Sequence, residues 1–281
     1  MQIDKAQVLI SVLVMNKPEI TSKCLRSLLT TEYPHYGILI IDNGSDEATV
    51  NMLRTFQEEA LAHKRNCQLV LNRENKGIAT GRNQAFHLLQ EPYIAFVDND
   101  VEFCDPRWLS VLVDTLEKDE NIAITGPKLL YPTPPHLIQH AGGGVSATGR
   151  IGDMGRNLPR HAVRFNEERD VQFFAGACTL LRQSAVAKAG YFDTVFDPIM
   201  FEDVDYCYRL RSLGYRIRYV PAVEAYHWEH TTTLGSGKLN SSYLFAKHSR
   251  IFKQRWRGMY EKESGPTDEE IMRFNKKGQN Q

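Results

Sequence analysis

The first half of the chain alternates short apolar runs with longer segments of helical character. Each apolar run is nearly continuous rather than alternating, which is typical of strands covered on both faces of a parallel sheet. The pattern therefore predicts successive β-α-β units. The predicted strands are Val8–Val14, Ile38–Ile41, Gln68–Leu71, Tyr93–Val97 and Ile122–Thr125, and the predicted helices are Pro18–Leu29, Glu47–Lys64, Thr80–Leu89 and Arg107–Lys118.

The second half is less regular. A stretch rich in proline and glycine from Tyr131 to Arg169 predicts a long loop, which at this length indicates a lid over a site or disorder. The structured segments expected after it are a strand at Val171–Leu181, helices at Ser184–Ala189 and Asp203–Leu213, and strands at Arg216–Val220 and Val223–Tyr226.

The C-terminal part of the chain contains a basic segment, Tyr243–Glu263, that is predicted to be helical. Two interpretations are open: a packed terminal helix with a solvated face, or a helix that contacts a membrane surface through Arg, Lys and Trp256. The polar tail after Pro266 is expected to fray.

Composition narrows the function classes. Lys and Arg total 34 of the 281 residues and Asp and Glu also total 34, so the overall charge does not favour nucleic acid as a partner. No apolar stretch reaches the roughly 18 residues of a membrane-spanning helix. The five cysteines are scattered and form no CxxC pair, which predicts reduced thiols in a cytoplasmic protein, with peripheral membrane contact left open.

Two carboxylates follow the fourth predicted strand in the run Asp98-Asn99-Asp100. Ligands of open parallel sheets bind at the carboxyl ends of the strands. Carboxylates so close together repel one another unless a cation lies between them or they take different roles. The run therefore indicates either a metal-assisted phosphate site or a turn in which both side chains cap local N–H groups.

Two further polar segments lie at predicted strand ends. Asp42 begins the run DNGS after the second strand, where a carboxylate can accept a hydrogen bond from the N3–H group of a pyrimidine. The segment Asn72–Asn83 leads into a helix whose early Arg82 suits contacts with a diphosphate or a nucleobase. The DNGS run is equally compatible with a turn that caps the next helix, and the Asn72–Asn83 segment taken singly is a weak motif.

Glu202 and Asp203 stand at the start of a predicted helix, where acids commonly complement the helix dipole. His227 and His230 follow the last predicted strand. A lone histidine is more often structural than a ligand, but imidazole beside carboxylates suits Mn²⁺ better than Ca²⁺.

Taken together, these segments resemble family 2 glycosyltransferases of the GT-A fold, in particular their rhamnosyltransferase-like group, over about Val8–Thr233. The matching motifs are the DNGS turn at Asp42, the NxGxxxxRN segment from Asn75 to Asn83, the DxD at Asp98 to Asp100, the run from Gly190 through Glu202, Asp203, Asp205 and Arg209 to Tyr215, and Val220-Pro221 followed by His227.

The resemblance implies an α/β fold with a Rossmann-like, mostly parallel central sheet, helices on both faces, a smaller sheet on the acceptor side and a C-terminal helix. It implies a catalytic domain at 1–233, with a nucleotide-sugar-binding half at about 1–127 and an acceptor half at 128–233. Residues 234–281 are then a helical extension with a polar tail.

The implied activity is inverting, metal-dependent hexosyl transfer from a nucleoside diphosphate sugar to a saccharide or another hydroxyl acceptor in glycan or polysaccharide assembly. A UDP-sugar is the first candidate donor and a dTDP-sugar the second. The alternative is a non-catalytic module of the same fold that binds nucleotide sugars or regulates another enzyme. A nucleotidyltransferase is disfavoured because the run MNKPEI after the first strand has no glycine.

The resemblance also assigns roles residue by residue. Asp203 is the catalytic base, and Glu202 orients the base or the acceptor. Asp100 and His227 hold a divalent cation, Mn²⁺ or Mg²⁺. The residues assigned to the nucleotide sugar are Asn16, Asp42, Asn75, Gly77, Arg82, Asp98 and Asn99.

One position departs from the family pattern. The run after the first strand carries Lys17 where the family commonly has a tyrosine that stacks on the base. Lysine cannot stack in this way, so uridine and thymidine both remain open.

Overall fold

A ten-stranded sheet forms the centre of the computed structural model, which describes residues 7–229 and 240–275. The strands are β1 (Val8–Val14), β2 (Tyr36–Asp42), β3 (Cys67–Leu71), β4 (Tyr93–Asp98), β5 (Val101–Phe103), β6 (Ile122–Leu130), β7 (Ile138–His140), β8 (Gly143–Val145), β9 (Ile151–Asp153), β10 (Arg169–Val171), β11 (Cys178–Arg182) and β12 (Arg216–His227). The main path of the ten-stranded sheet is β10-β12-β6-β11-β4-β1-β2-β3, with β5 paired to β12 and β7 paired to β6. The remaining two strands, β8 and β9, pair with each other in a second sheet.

Helices cover both faces of this sheet. They are α1 (Pro18–Leu29), α2 (Glu47–Ala62), α3 (Ile78–Leu88), α4 (Trp108–Glu117), α5 (Gln183–Ala189), α6 (Glu202–Ser212), α7 (Ser241–Tyr260) and α8 (Asp268–Asn275). Successive side chains of a strand point to opposite faces, and β1 accordingly divides its residues between two separate hydrophobic clusters. Leu9 packs in one cluster, whereas Ile10 and Val12 pack in the other. The predicted α/β fold with a mostly parallel sheet is confirmed.

The chemistry of the helix starts was readable in the sequence. Pro18 begins α1, where its fixed φ suits the first turn and its missing N–H costs nothing. Asp46 caps α2 by accepting a hydrogen bond of 2.8 Å from the backbone N–H of Thr49. These helices lie close to their predicted positions.

The long loop predicted for residues 131–169 is wrong. Residues 131–169 contain β7, β8 and β9, and the β8-β9 hairpin forms the expected smaller sheet. Apolar residues along this segment, such as Ile138, Ala141 and Val145, are fully buried. The prolines and glycines that suggested a loop instead make the turns between strands of only three residues.

Two strand predictions are also corrected. The strand expected at 171–181 is two strands, β10 and β11, separated by residues 172–177. Part of the intervening backbone bonds side chains of the site: the Gly176 carbonyl accepts a hydrogen bond from Arg82, and its N–H donates one to Asp203. Another part forms an isolated antiparallel bridge between Phe173 and Gly143 of β8. The two strands expected at 216–220 and 223–226 are one strand, β12, whose pairing with β6 shifts register between Val220 and Glu224.

The C-terminal helices pack on the protein. Phe252 and Tyr260 of α7 are buried, which is the packed interpretation of this segment. The tail after Pro266 was expected to fray, but its residues Asp268–Asn275 form α8, whose Ile271 and Phe274 are buried. The same prediction for residues 276–281 lies outside the described residues. The amphipathic spacing of these two residues, rather than the polar character of the tail, decides its structure.

Buried polar contacts fix α7 to the segment that begins α6. The carboxylate of Asp205, fully buried, accepts hydrogen bonds of 2.8 Å from Arg255 Nη1 and from Trp256 Nε1. Two turns earlier on α7, the ring nitrogen Nδ1 of His248 lies 2.9 Å from the carbonyl oxygen of Ile199. Helix α7 therefore contacts the chain both just before α6 and in the first turn of α6.

Of the helices in residues 7–229 and 240–275, none is both long enough and apolar enough to cross a bilayer. The proposed nucleotide-sugar half at 1–127 and acceptor half at 128–233 share the central sheet, because β11 pairs with both β4 and β6. The boundary between these halves stays a prediction.

Candidate active site

Four strands deliver the candidate residues to one edge of the sheet. The strands β1, β2, β4 and β12 run in the same direction, so their carboxyl ends meet there. Asp42 ends β2, Asp98 ends β4 and His227 ends β12. Asn16 lies just beyond the end of β1, in a left-handed conformation with φ of 59°. The polar residues at these strand ends therefore lie at one edge of the sheet.

A cluster of oxygen and nitrogen ligands forms around Asp98, Asp100 and His227, whose potential ligand atoms lie within 4.8 Å of one another. His227 Nε2 is 3.3 Å from Asp100 Oδ1. Burial opposes a charge on His227, but its hydrogen bond to Asp100 and the nearby carboxylates outweigh burial and raise the pKa of His227. Two carboxylates with one imidazole are a donor set that fits Mn²⁺ or Mg²⁺. The second histidine considered, His230, lies outside the described residues.

The buried guanidinium of Arg82 joins this cluster to a second pair of acids. Its Nη2 donates to Asp98 Oδ1 at 2.5 Å and to the carbonyl of Gly176 at 2.9 Å. Its Nη1 lies 3.8 Å from Glu202 Oε1. Arg82 is only 3% exposed, so these charges interact in a region largely screened from water. The guanidinium of Arg82 is therefore paired with carboxylates of the site.

Glu202 and Asp203 begin α6 after a strained turn. Met200 and Phe201 both adopt left-handed backbone conformations, with φ of 78° and 74°. Each such non-glycine residue costs on the order of 1–2 kcal/mol, and strain of this kind is typical of functional turns. The Asp203 carboxylate accepts hydrogen bonds from the backbone N–H of Gly176 at 2.9 Å and of Val204 at 2.7 Å.

The environments of these two acids separate their proton affinities. Burial, and then the charge of Asp203, raise the pKa of Glu202 to about 8. Burial also raises the pKa of Asp203, but its two backbone N–H donors stabilise the ionised form. Glu202 Oε2 is buried and has no hydrogen-bond partner among the described residues. Asp203 therefore ionises first, and the pair retains one proton near neutral pH.

Asp42 presents a buried carboxylate with one unused oxygen. Its Oδ2 accepts hydrogen bonds from the backbone N–H groups of Gly44 at 3.3 Å and Ser45 at 3.2 Å. Its Oδ1 is buried without a hydrogen-bond partner in the described part of the chain. Buried polar atoms are nearly always satisfied, so this oxygen requires a donor from a water molecule or a ligand. Gly44 has φ of +83°, and an added Cβ would lie 2.6 Å from the backbone carbonyl carbon of Glu74, so there is no room for a side chain.

Asparagines connect the loops around Asp42. The backbone N–H of Asn16 donates to Ser45 Oγ at 2.7 Å, which ties the loop after β1 to the loop after β2. Asn75 Oδ1 accepts hydrogen bonds of 2.9 Å from Asn43 Nδ2 and from the backbone N–H of Gly77. Asn16 and Asn75 lie at the predicted edge, where they shape the loops. Their contacts with a nucleotide stay predictions.

The start of α3 is occupied by a residue to which the sequence assigned no role. Asp197 Oδ1 accepts a hydrogen bond of 2.9 Å from the N–H of Ala79, and its Oδ2 accepts one of 3.2 Å from the N–H of Thr80. Gly77 has φ of +89°, and an added Cβ would lie 2.3 Å from Asp197 Oδ1. The helix start that was expected to suit a diphosphate thus receives a carboxylate of the chain itself.

One residue assigned to the nucleotide sugar, Asn99, points elsewhere. Asn99 Nδ2 donates to Thr21 Oγ1 at 2.7 Å inside the protein, so this side chain anchors the turn between the two aspartates. Phe173 and Phe174, which precede Gly176 in the chain, are buried in the core. Trp228 is partly buried beside the cluster, and its backbone N–H donates to the carbonyl of Asp100 at 3.0 Å.

Comparison with known proteins gives one family. The model of the family described as "Glycosyl transferase family 2" matches residues 10–190. The chain is 27% identical over 249 residues to an N-acetylglucosaminyl-diphospho-decaprenol L-rhamnosyltransferase of Mycobacterium tuberculosis, covering 80% of this chain and 75% of that protein. It is 28% identical over 214 residues to the O-antigen biosynthesis protein RfbC of Myxococcus xanthus, covering 72% of this chain and 16% of that protein.

Solved structures agree on the fold. A crystal structure of GalNAc-T7 with UDP, GalNAc and Mn²⁺ matches with a TM-score of 0.65 at 16% identity, over 80% of this chain and 44% of that chain. This likeness shows the GT-A fold. The chain spans about a quarter or less of the length of several curated relatives that it matches.

The order of ionisation in the acid pair can be measured directly. In the Asp203→Asn variant we expect the pKa of Glu202 to fall below about 8, because the neighbouring charge is removed, and to stay above the ordinary value of 4.5, because burial remains. Carboxyl ¹³C NMR titration measures this change. Asp170→Asn, on the exposed strand β10, is the matched control and should leave Glu202 unchanged. A Glu202 pKa that is identical in wild type and Asp203→Asn would contradict the coupling.

Proposed function

The chain belongs to glycosyl transferase family 2, and we propose that this glycosyltransferase moves a sugar from a nucleoside diphosphate donor to a hydroxyl acceptor with inversion at the anomeric carbon. A divalent cation, Mn²⁺ or Mg²⁺, assists the transfer. The acceptor is a saccharide or another alcohol, in glycan or polysaccharide assembly.

The observation that carries the proposal is the position of Arg82. One guanidinium contacts Asp98 of the ligand cluster and lies 3.8 Å from Glu202 of the acid pair. The two groups of acids are therefore separated by about the width of one side chain. A sugar bound beside Arg82 would have its leaving diphosphate on the side of Asp98 and a base on the side of Asp203.

Asp100 and His227 would hold the cation, which, when bound, stabilises the negative charge that develops on the leaving diphosphate oxygens. Asp98 is held by Arg82, and its side chain is 33% exposed, so its carboxylate is available to the donor at the same point. Arg82 further offsets the charge of Asp98 and Asp203. These residues orient the donor before the anomeric bond breaks.

Asp203 supports the second half of the proposed reaction. As the member of the acid pair that ionises first, it is able to remove the proton of the attacking hydroxyl. Glu202, which retains its proton near neutral pH, adds no second negative charge and is placed to orient the base or the acceptor. A single displacement with one base needs no covalent glycosyl-enzyme, so it inverts the anomeric configuration.

Asp42 supports a pyrimidine nucleotide. Its orphaned Oδ1 suits the N3–H group of uracil or thymine. A UDP-sugar is the first donor in the proposal and a dTDP-sugar the second. UDP and Mn²⁺ accompany GalNAc-T7 in its solved structure, and the mycobacterial relative is named for rhamnosyl transfer. A cytoplasmic location is part of the same proposal and is supported by the free cysteines at all five positions.

Turnover distinguishes this proposal from a module that only binds nucleotide sugars. We expect Asp203→Asn to lower kcat by about 10²-fold to 10⁴-fold, because the acceptor proton loses its base. UDP binding in the presence of Mn²⁺, measured by calorimetry, should remain close to that of the wild type. The Asp170→Asn control should keep both. Full turnover by Asp203→Asn refutes the assigned base, and binding without turnover by the wild type across donors and acceptors favours the module.

The nucleobase contact can be isolated with a modified ligand. Wild-type protein should bind UDP about 10-fold to 100-fold more tightly than UDP methylated at N3, because the methyl group removes the donor for Asp42. In Asp42→Ala the preference should largely disappear. Equal affinities of the wild type for both ligands would show that Asp42 does not contact N3–H.

A further inference from the structure

Gln139 connects the segment once expected to be a lid with the candidate metal ligand His227. It lies in the middle of β7, which pairs with the end of β6 next to β12, and it is only 2% exposed. Its Nε2 donates to the backbone carbonyl of His227 at 3.1 Å, and its Oε1 lies 2.6 Å from His227 Nδ1. One amide group thus contacts both the backbone and the ring of the same residue.

This double contact determines where the ring carries its proton. A backbone carbonyl only accepts hydrogen bonds, so the amide nitrogen of Gln139 must face it. The amide oxygen then faces Nδ1, and an oxygen requires a proton on that nitrogen. In the neutral ring, Nε2 consequently has the free lone pair. Nε2 is also the atom that lies 3.3 Å from Asp100 Oδ1, inside the ligand cluster.

Gln139 and Asp100 therefore favour opposite tautomers. An isolated carboxylate beside Nε2 would attract a proton to that nitrogen, and a cation would have to displace the proton before it could bind. The shorter contact, 2.6 Å at Nδ1 against 3.3 Å at Nε2, favours the tautomer selected by Gln139. Outer-shell partners that accept the second N–H of a metal-bound histidine typically contribute 10-fold to 100-fold in metal affinity.

We propose that Gln139 is a positioning residue that holds His227 as the Nδ1–H tautomer, so that Nε2 is ready to bind the divalent cation. This inference rests on the metal site of the proposed function. It gives the segment 131–169 a role in the site: β7 delivers the side chain that prepares a ligand on β12. It predicts that tight cation binding depends on a residue that does not touch the cation.

Metal affinity tests the inference without any assay of turnover. Mn²⁺ binding, followed by electron paramagnetic resonance in the presence of UDP, should be about 10-fold to 100-fold weaker in Gln139→Met than in the wild type. Gln139→Glu keeps an acceptor for Nδ1–H and should bind Mn²⁺ more tightly than Gln139→Met. ¹⁵N NMR of the metal-free protein, at a pH where the ring is neutral, should show Nδ1–H in the wild type and a shift towards Nε2–H in Gln139→Met.

Gln172 supplies the matched control. Its amide also bonds the backbone twice, accepting from the N–H of Val145 at 2.7 Å and donating to the Val145 carbonyl at 3.1 Å. Gln172→Met removes a similar pair of contacts and should leave Mn²⁺ affinity unchanged. Equal Mn²⁺ affinity in Gln139→Met and wild type, or an equal loss in both methionine variants, would overturn the inference.

Asp100→Asn separates failure of this inference from failure of the proposed function. It should abolish tight Mn²⁺ binding whether or not Gln139 has the role proposed. If Asp100→Asn binds Mn²⁺ as the wild type does, the metal site itself is wrong. If Asp100→Asn loses Mn²⁺ while Gln139→Met retains it, the metal site stands and the positioning role of Gln139 is refuted.

Discussion

The arrangement of the site depends on one buried guanidinium among four acids. Asp98, Asp100, Glu202 and Asp203 gather at one edge of the sheet, and their repulsion in a region screened from water would oppose folding if it were not offset. Arg82 contacts one acid of each group and is itself held by the Gly176 carbonyl. Uptake of a proton by the Glu202–Asp203 pair removes part of the remaining repulsion. The contacts of Arg82 and the proton on the Glu202–Asp203 pair allow the acids to coexist. They also leave Asp203 ionised, so that it can act as a base.

The outer elements of the fold maintain this arrangement. The left-handed residues Met200 and Phe201 turn the chain into α6, and such a turn persists only when its surroundings hold it. His248 of α7 contacts the carbonyl just before the turn, and Arg255 with Trp256 hold Asp205 just after it. We therefore regard α7 as a part of the catalytic unit rather than an appendage. Contact of its exposed basic face with a membrane stays a prediction.

The sequence predicted what local chemistry decides. Continuous apolar runs identified the strands of the first half, and the polar residues at strand ends identified the edge where the site lies. Residues whose roles depend on distant partners were not predicted. Nothing near Gln139 in the sequence indicates that it meets His227, 88 positions away. Asp197 likewise meets α3 only in three dimensions, at Ala79 and Thr80. Residues 131–169 were misread because their burial is supplied by the rest of the fold.

The most direct test of the account is to locate the cation and the acid pair in one experimental structure. Crystals grown with UDP and Mn²⁺ allow the metal to be placed by anomalous diffraction at the manganese absorption edge. The account predicts one strong peak between Asp100 and His227, in contact with the diphosphate, with Asp203 facing the same cleft. A peak elsewhere, or an Asp203 carboxylate turned out of the cleft that holds the diphosphate, would contradict it.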